Sequence, residues 1–179
     1  MDSQNPSGAD NQQETEHQED VDPWWVVGFV DGEGCFSVSL HRNELAGPTD
    51  GWHIQPTFQV SQHRDHRDAL ELLRRVFGAG TVRGKGPTSA VDVFVIHSTK
   101  QLLETVIPFF EKHPLRVKQR DFEAFARIVR DVRARRHHRP EIFDELVRLA
   151  YSMNARGKQR KRPIEAILSG SSETARQAR

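Results

Sequence analysis

The sequence predicts an α+β fold, one αββαββα unit with a four-stranded antiparallel sheet, helices on one face, and further helices at the carboxyl end. Three observations lead there. An apolar run with a good helix start covers Asp22 to Val30. Four stretches of strand length follow in two pairs, each pair split by a loop. Segments with helical apolar spacing lie between the pairs and after them.

The first helix has Asp22 as N-cap and Pro23 at its first position. Trp24 to Val30 is almost wholly apolar, which predicts a helix buried around most of its circumference. Gly28 and Gly32 are four apart and share a face, a spacing suited to a tight helix–helix contact. The helix is expected to stop at an acidic turn, Asp31-Gly32-Glu33-Gly34. Asp31 is assigned to that turn and to the interface. Glu33 falls at the negative end of the helix, where an acid is costly without a cation beside it. An acid in a costly place points to function.

Phe36, Val38 and Leu40 then alternate with Ser37, Ser39 and His41. After a loop marked by Gly47, Pro48 and Gly51, Ile54, Phe58 and Val60 alternate with His53, Gln55, Thr57 and Gln59. These strands present Ser, His, Gln and Thr on their outer face. Such groups suit base edges in a major groove, which admits a two-stranded ribbon. A solvent-facing antiparallel sheet is polar in the same way.

Asp65 to Phe77 reads as a helix ended by Gly78. Thr81 to Gly86 is a short strand and turn, with Arg83 and Lys85 on one side, and Val91 to His97 returns. Ser98 or Thr99 caps a helix that breaks at His113-Pro114. A long helix follows from Lys118 to about Arg136, another starts at Pro140, and a short one covers Pro163 to Leu168. Residues 154–162 form a polar loop with Lys158 and Lys161. Three regions are expected: a disordered acidic tail at 1–21, one domain at 22–169, and a disordered tail at 170–179.

Composition narrows the partners. The first 22 residues hold seven acids and no Lys or Arg, leaving 26 basic against 18 acidic residues and a formal +8 on the remainder. A basic body suggests a polyanion. No apolar run approaches a membrane span, and a single Cys35 rules out an internal disulfide and Cys-based zinc sites. The expected location is therefore intracellular, in cytoplasm or nucleoid. The excess of 20 Arg over 6 Lys leans toward GC-rich coding and a bacterial source.

The stretch Val26-Val27-Gly28-Phe29-Val30-Asp31-Gly32-Glu33-Gly34 resembles the LAGLIDADG motif of homing endonucleases. Three further segments are similar to that family's single-motif, homodimeric branch: Phe58 to Gln62, Gly78 to Gly86, and Leu115-Arg116-Val117-Lys118-Gln119. The resemblance implies the LAGLIDADG fold and a double-stranded DNA endonuclease. The enzyme would be an intron-encoded type of nuclease, homodimeric, cutting a long pseudo-palindromic site with divalent metal ions (Mg²⁺, or Mn²⁺ or Ca²⁺ in the same site).

By position, the resemblance makes Glu33 the metal-binding acid and gives Gly32 a metal-facing carbonyl. Gln62 and Lys118 are implied to surround the attacking water and the scissile phosphate. The basic residue expected four after Gln62 is here His66, with Arg67 next to it, and the sequence leaves the choice open. Ser37, Ser39, His41, Asn43, Gln55, Thr57 and Gln59 match the base-reading face. Arg83, Lys85, Lys158 and Lys161 match DNA-contacting positions. Trp25, Gly28, Phe29 and Gly32 would form the dimer interface. The chemistry agrees, since paired divalent metals stabilise both the attacking and leaving oxygens of a phosphodiester.

The competing readings are a non-cleaving DNA-binding regulator and an RNA maturase on the same fold. An intein-embedded nuclease is disfavoured, because the chain starts with its own Met and shows no terminal His-Asn junction.

Overall fold

Helix α1, Pro23–Glu33, begins where Asp22 accepts a hydrogen bond from the Trp24 N–H at 2.9 Å. The computed structural model describes residues 21–42, 52–153 and 163–168. The expected tails at 1–21 (Val21 apart) and 170–179, with Asn43, Lys158 and Lys161, lie outside these. α1 buries only Val26, Val27 and Val30. Trp24 is 53% and Trp25 39% exposed, so the helix is covered on one side, not around most of its circumference.

No turn separates α1 from the first strand. The helix runs through Glu33 and passes at Gly34 straight into β1, Gly34–Arg42. A Cβ at Gly34 would lie 2.6 Å from the Val30 carbonyl oxygen, so this close exit needs glycine. The expected acidic turn is thus the last turn of the helix.

β1 pairs antiparallel with β2, Trp52–His63, in a register that sets Phe36 opposite Phe58 and Ser37 opposite Thr57. A single 3₁₀ turn, Arg64–His66, leads into α2, Arg67–Phe77, which is ended by left-handed Gly78 at φ 57°. β3, Thr81–Gly84, and β4, Val91–Ile96, form the second hairpin. The sheet order is β1-β2-β4-β3. It is four-stranded and antiparallel, as the alternation implied.

Ser98 caps the next helical run, accepting from the Gln101 N–H. This run comprises α3, Thr99–Gln101, a π turn at Leu102–Val106, and α4, Ile107–Lys112. Pro108 accounts for the widened turn. It has no N–H to give the carbonyl four residues back, and its ring crowds that carbonyl. Next come α5, Gln119–Arg133, and α6, Pro140–Ser152, and residues 164–168 are helical. α5 ends short of the expected Arg136 because Arg135 turns left-handed.

The two sheet faces differ in kind. Phe36, Phe58, Phe94 and Ile96 face the helices and join Phe110, Phe122 and Phe125 in the core. Phe58 makes edge contacts with Phe77, Phe94 and Phe110, a geometry aromatic quadrupoles favour. The other face carries the polar row.

At one end of the sheet the buried Asp92 carboxylate holds Arg67 at 2.7 Å and faces Arg64 at 3.7 Å. Arg67 also donates to Glu71 and to the Val82 carbonyl, so it ties α2 to β3 and β4. Removing one partner of a wholly buried pair costs about 3–5 kcal/mol. Arg67 is 41% exposed and can rehydrate in part. Asp92→Ala is therefore expected to cost about 2–3 kcal/mol, readable as a lower urea midpoint at unchanged slope.

Candidate active site

Four groups meet at the junction of α1 and α5. The Asp31 carboxylate accepts three backbone N–H groups, from Arg116 at 2.7 Å, Val117 at 3.1 Å and Lys118 at 3.0 Å. It thereby holds the bend that leads into α5 and satisfies the N–H of its N-cap residue, Lys118, which makes no side-chain cap bond of its own. In return the Lys118 ammonium donates to the Asp31 carbonyl and, at 3.3 Å, to the Gly32 carbonyl. The positive end of α5 receives an anion, and the negative end of α1 receives a cation. Asp31 thus serves the inside of its own chain, where the sequence placed it in a turn and an interface.

Glu33 is the last residue of α1, is exposed, and has no hydrogen-bond or ionic partner among the described residues. The Gly32 carbonyl, expected to face metal, lies against the Lys118 ammonium within the single chain. Gln62 stands two residues beyond Val60, the partner of Gly34, so it lies at the same end of the sheet as Glu33. Its amide oxygen accepts the His63 N–H at 2.7 Å. Of the two basic candidates near it, Arg67 is held by Asp92, Glu71 and Val82. His66 is exposed and carries no side-chain cap bond. Cys35 is close enough for the Lys118 charge to lower its pKa, yet burial outweighs that and pushes the thiol up.

The oxygen donors here, a carboxylate and a backbone carbonyl, suit hard divalent cations such as Mg²⁺ or Ca²⁺ and not thiophilic metals. At this junction Glu33 is the one carboxylate without a partner among the described residues, and no group of three His, Cys, Asp or Glu among them could hold a metal.

The outer sheet face gathers most of the expected readers. Ser37 and Thr57, Ser39 and Gln55, His41 and His53, and Cys35 and Gln59 are cross-strand pairs on one side. Arg83, on the same face, is opposite Val93, and exposed Lys85 follows β3. The readers differ in freedom. Gln55 already donates to the Pro56 and His97 carbonyls, and Thr57 bonds the His97 ring at 3.2 Å. Gln59 has no such bond among the described residues and keeps its donors and acceptor.

Three residues of this face escaped the sequence reading: Val93, Val95 and His97. Register with Ser61 and Gln59 puts the valines outside, and both are nearly covered there without joining the main core. Val93 to Ile96 of β4 reads as an unbroken apolar run, so alternation carried no sign of an outer face.

The sequence profile described as LAGLIDADG endonuclease matches residues 26–129. The chain belongs to that family. It is 30% identical over 148 residues to homing endonuclease I-ApeII of Aeropyrum pernix, covering 80% of this chain and 86% of that one. An archaeal intron-encoded homing endonuclease, I-Vdi141I, solved in complex with DNA, superposes with TM-score 0.76. It is 26% identical and covers 84% of this chain and 94% of its own. I-SmaMI, bound to an uncleaved DNA target in the presence of calcium ions, gives TM-score 0.73 at 27% identity. There the match spans 83% of this chain and 49% of that one. Two of these three relatives are archaeal, so the leaning toward a bacterial source finds no support. No helix among the described residues is long and apolar enough to cross a membrane.

The clasp makes a specific forecast. Asp31→Ala should lower folding stability by about 1.5–3 kcal/mol, the usual contribution of a hydrogen bond to a charged group, because the freed amides can turn in part to water. Lys118→Met should leave the melting curve nearly in place, because both carbonyls it touches can turn to water. Comparing the two by urea titration tests whether Asp31 is the structural partner.

Proposed function

We propose that this protein is a homodimeric endonuclease that cuts double-stranded DNA at a long, pseudo-palindromic site with the help of divalent metal ions. The observation that carries this is Glu33. It is an exposed carboxylate with no partner among the described residues, at the negative end of a helix and beside a lysine already bound there. Such a carboxylate is electrostatically costly alone and is stabilised by a cation.

A second copy supplies what one chain lacks. Trp25, Gly28, Phe29 and Gly32 lie at helical spacing along the uncovered side of α1. A Cβ at Gly28 or Gly32 would meet nothing within 4 Å, so both positions are open in the single chain. Trp25 stacks on Phe29 at 5.1 Å, giving the stripe a flat apolar rim. Pairing two such stripes brings two Glu33 carboxylates together. That this chain matches nearly half of the longer I-SmaMI chain accords with two copies making one complete nuclease.

In this dimer Glu33 and the Gly32 carbonyl hold divalent metal, which supplies charge stabilisation at the scissile phosphate. The Lys118 ammonium offsets negative charge building on the phosphate. It releases the Gly32 carbonyl as it does so. Gln62 orders water near the phosphate. His66 takes the place of the basic group, because Arg67 is committed to Asp92. Gln59 reads base edges, and Arg83 and Lys85 neutralise phosphates.

Three measurements test the reading. Glu33→Gln should lower Mg²⁺-dependent plasmid cleavage by roughly 10²-fold or more while duplex binding persists. Cleavage at wild-type rate would discard the proposed site. Gly28→Leu fits the isolated chain and should yield a folded monomer by light scattering; an unaltered dimer would place the interface elsewhere. Gln59→Ala should relax base preference by ~1–3 kcal/mol at a symmetric pair of positions, and an equal loss on every sequence would make it an anchor.

A further inference from the structure

His97 belongs to the outer sheet face and has no part in the function proposed above. It follows the last residue of β4 and is exposed. In the β2–β4 ladder Phe58 stands opposite Ile96, so the next step sets His97 beside Thr57. Two hydrogen bonds hold it there. Its ring Nδ1 lies 3.2 Å from the Thr57 hydroxyl, and its carbonyl accepts from Gln55 Nε2 at 3.0 Å. The residue is fixed at both ends, the main chain by Gln55 and the ring by Thr57.

These bonds change what each group can offer to a ligand. The Gln55 amide meets two carbonyls, of Pro56 at 3.1 Å and of His97 at 3.0 Å, and a carbonyl only accepts. The NH₂ group must therefore face them, and both its hydrogens are used. Gln55 keeps its side-chain oxygen and no donor. A glutamine reads adenine by donating and accepting at once, which Gln55 in this state cannot do. Ser37 gives its hydroxyl hydrogen to the Thr57 carbonyl at 3.3 Å. Thr57 shares a hydrogen with the His97 ring. His97 Nε2, by contrast, has no hydrogen bond among the described residues. The two ring nitrogens point in divergent directions, so the bond to Thr57 fixes the ring and leaves Nε2 available.

We infer that His97 is a specificity-determining residue: at this level of the sheet its Nε2, and not the amide of Gln55, bonds a base edge in the major groove. This rests on the DNA-cleaving reading above. Thr57 sets the polarity of the contact. When its hydroxyl donates to Nδ1, Nε2 carries the hydrogen and donates to a purine N7, guanine O6 or thymine O4. When Nδ1 donates to Thr57, Nε2 accepts from the amino group of cytosine or adenine. A ring held in advance loses little freedom on binding, which makes the contact selective.

The test uses the full chain in Ca²⁺ and a randomised duplex pool, from which wild type, H97A, H97N and H97Q each select sites that are then sequenced. Asparagine reaches about as far as Nδ1, so H97N keeps a partner for Thr57 and loses Nε2. Glutamine reaches about as far as Nε2. H97A and H97N should each relax base preference at one symmetric pair of positions by roughly two- to tenfold, the net worth of one hydrogen bond. Preference elsewhere and the salt dependence of binding should stay as in wild type, because no phosphate contact is lost. H97Q should still select at that pair, though the favoured base can change.

Wild-type preference in H97N, with relaxation in H97A alone, would make His97 a support for Thr57 and overturns the inference. So does a loss that is equal for every sequence with a shallower salt slope, which marks a phosphate contact. Unchanged preference in all three variants overturns it as well. A wild-type protein that selects no duplex overturns this inference and the DNA-cleaving reading together. Selection and cleavage by wild type, with position 97 indifferent, removes this inference alone.

Discussion

The clasp between Asp31 and the start of α5 is the constraint on which the rest depends. It joins a helix that ends with unpaired carbonyls to a helix that begins with unpaired amides. Asp31 satisfies one of those amides, that of Lys118, together with the two amides just ahead of it, and Lys118 satisfies two of the carbonyls. Each charged group stands at the helix end that favours it. The exchange crosses more than eighty residues of sequence and fixes the direction in which α1 enters the sheet. It also leaves Glu33, two residues on, as the acid that the fold does not use. A carboxylate with no partner among the described residues is free to serve a ligand.

The same division of labour runs through the sheet. Its inner face is aromatic and closed, with Phe36, Phe58 and Phe94 among the core side chains. Its outer face is polar along β1 and β2, but under Gln59 and Ser61 the neighbouring positions of β4 are Val95 and Val93. These two valines, 6% and 3% exposed, make that part of the face apolar. Rigid donors on a strand are better placed for base edges than donors on a loop, because less entropy is lost when they bind. The bonds that His97 accepts from Gln55 and makes with Thr57 tighten the row further, at the cost of the freedom of those two groups.

Much of this was legible in the residues. The order of elements followed from alternation and helical spacing, and Pro23, Gly78 and Pro140 marked boundaries that the fold uses. The motif drew attention to Glu33 and Gly32 and the separate segment Leu115–Gln119 to Lys118, and the structure brings the Lys118 ammonium to the Gly32 carbonyl. What stayed hidden had physical reasons. The helix was read as ending in a turn because glycines usually break helices, whereas Gly34 is needed for close approach to Val30. Pro108 sits inside a helical pattern, and the chain absorbs it as a π turn. His66 and Arg67 are adjacent and both basic, and nothing local told them apart.

The sequence by itself determined the periodicities, the caps, the charge division and the motif, since each depends on neighbours a few residues away. Tertiary structure decided the partners. Asp31 could be a turn residue or a cap until α5 came to meet it. Arg67 could be catalytic or structural until Asp92, 25 residues on, took its guanidinium. Val93 and Val95 could be core until the register with β2 turned them outward. The reason is the same in each case. A charge or an apolar side chain acquires its role from the group that faces it, and that group is chosen by the fold across long sequence distances.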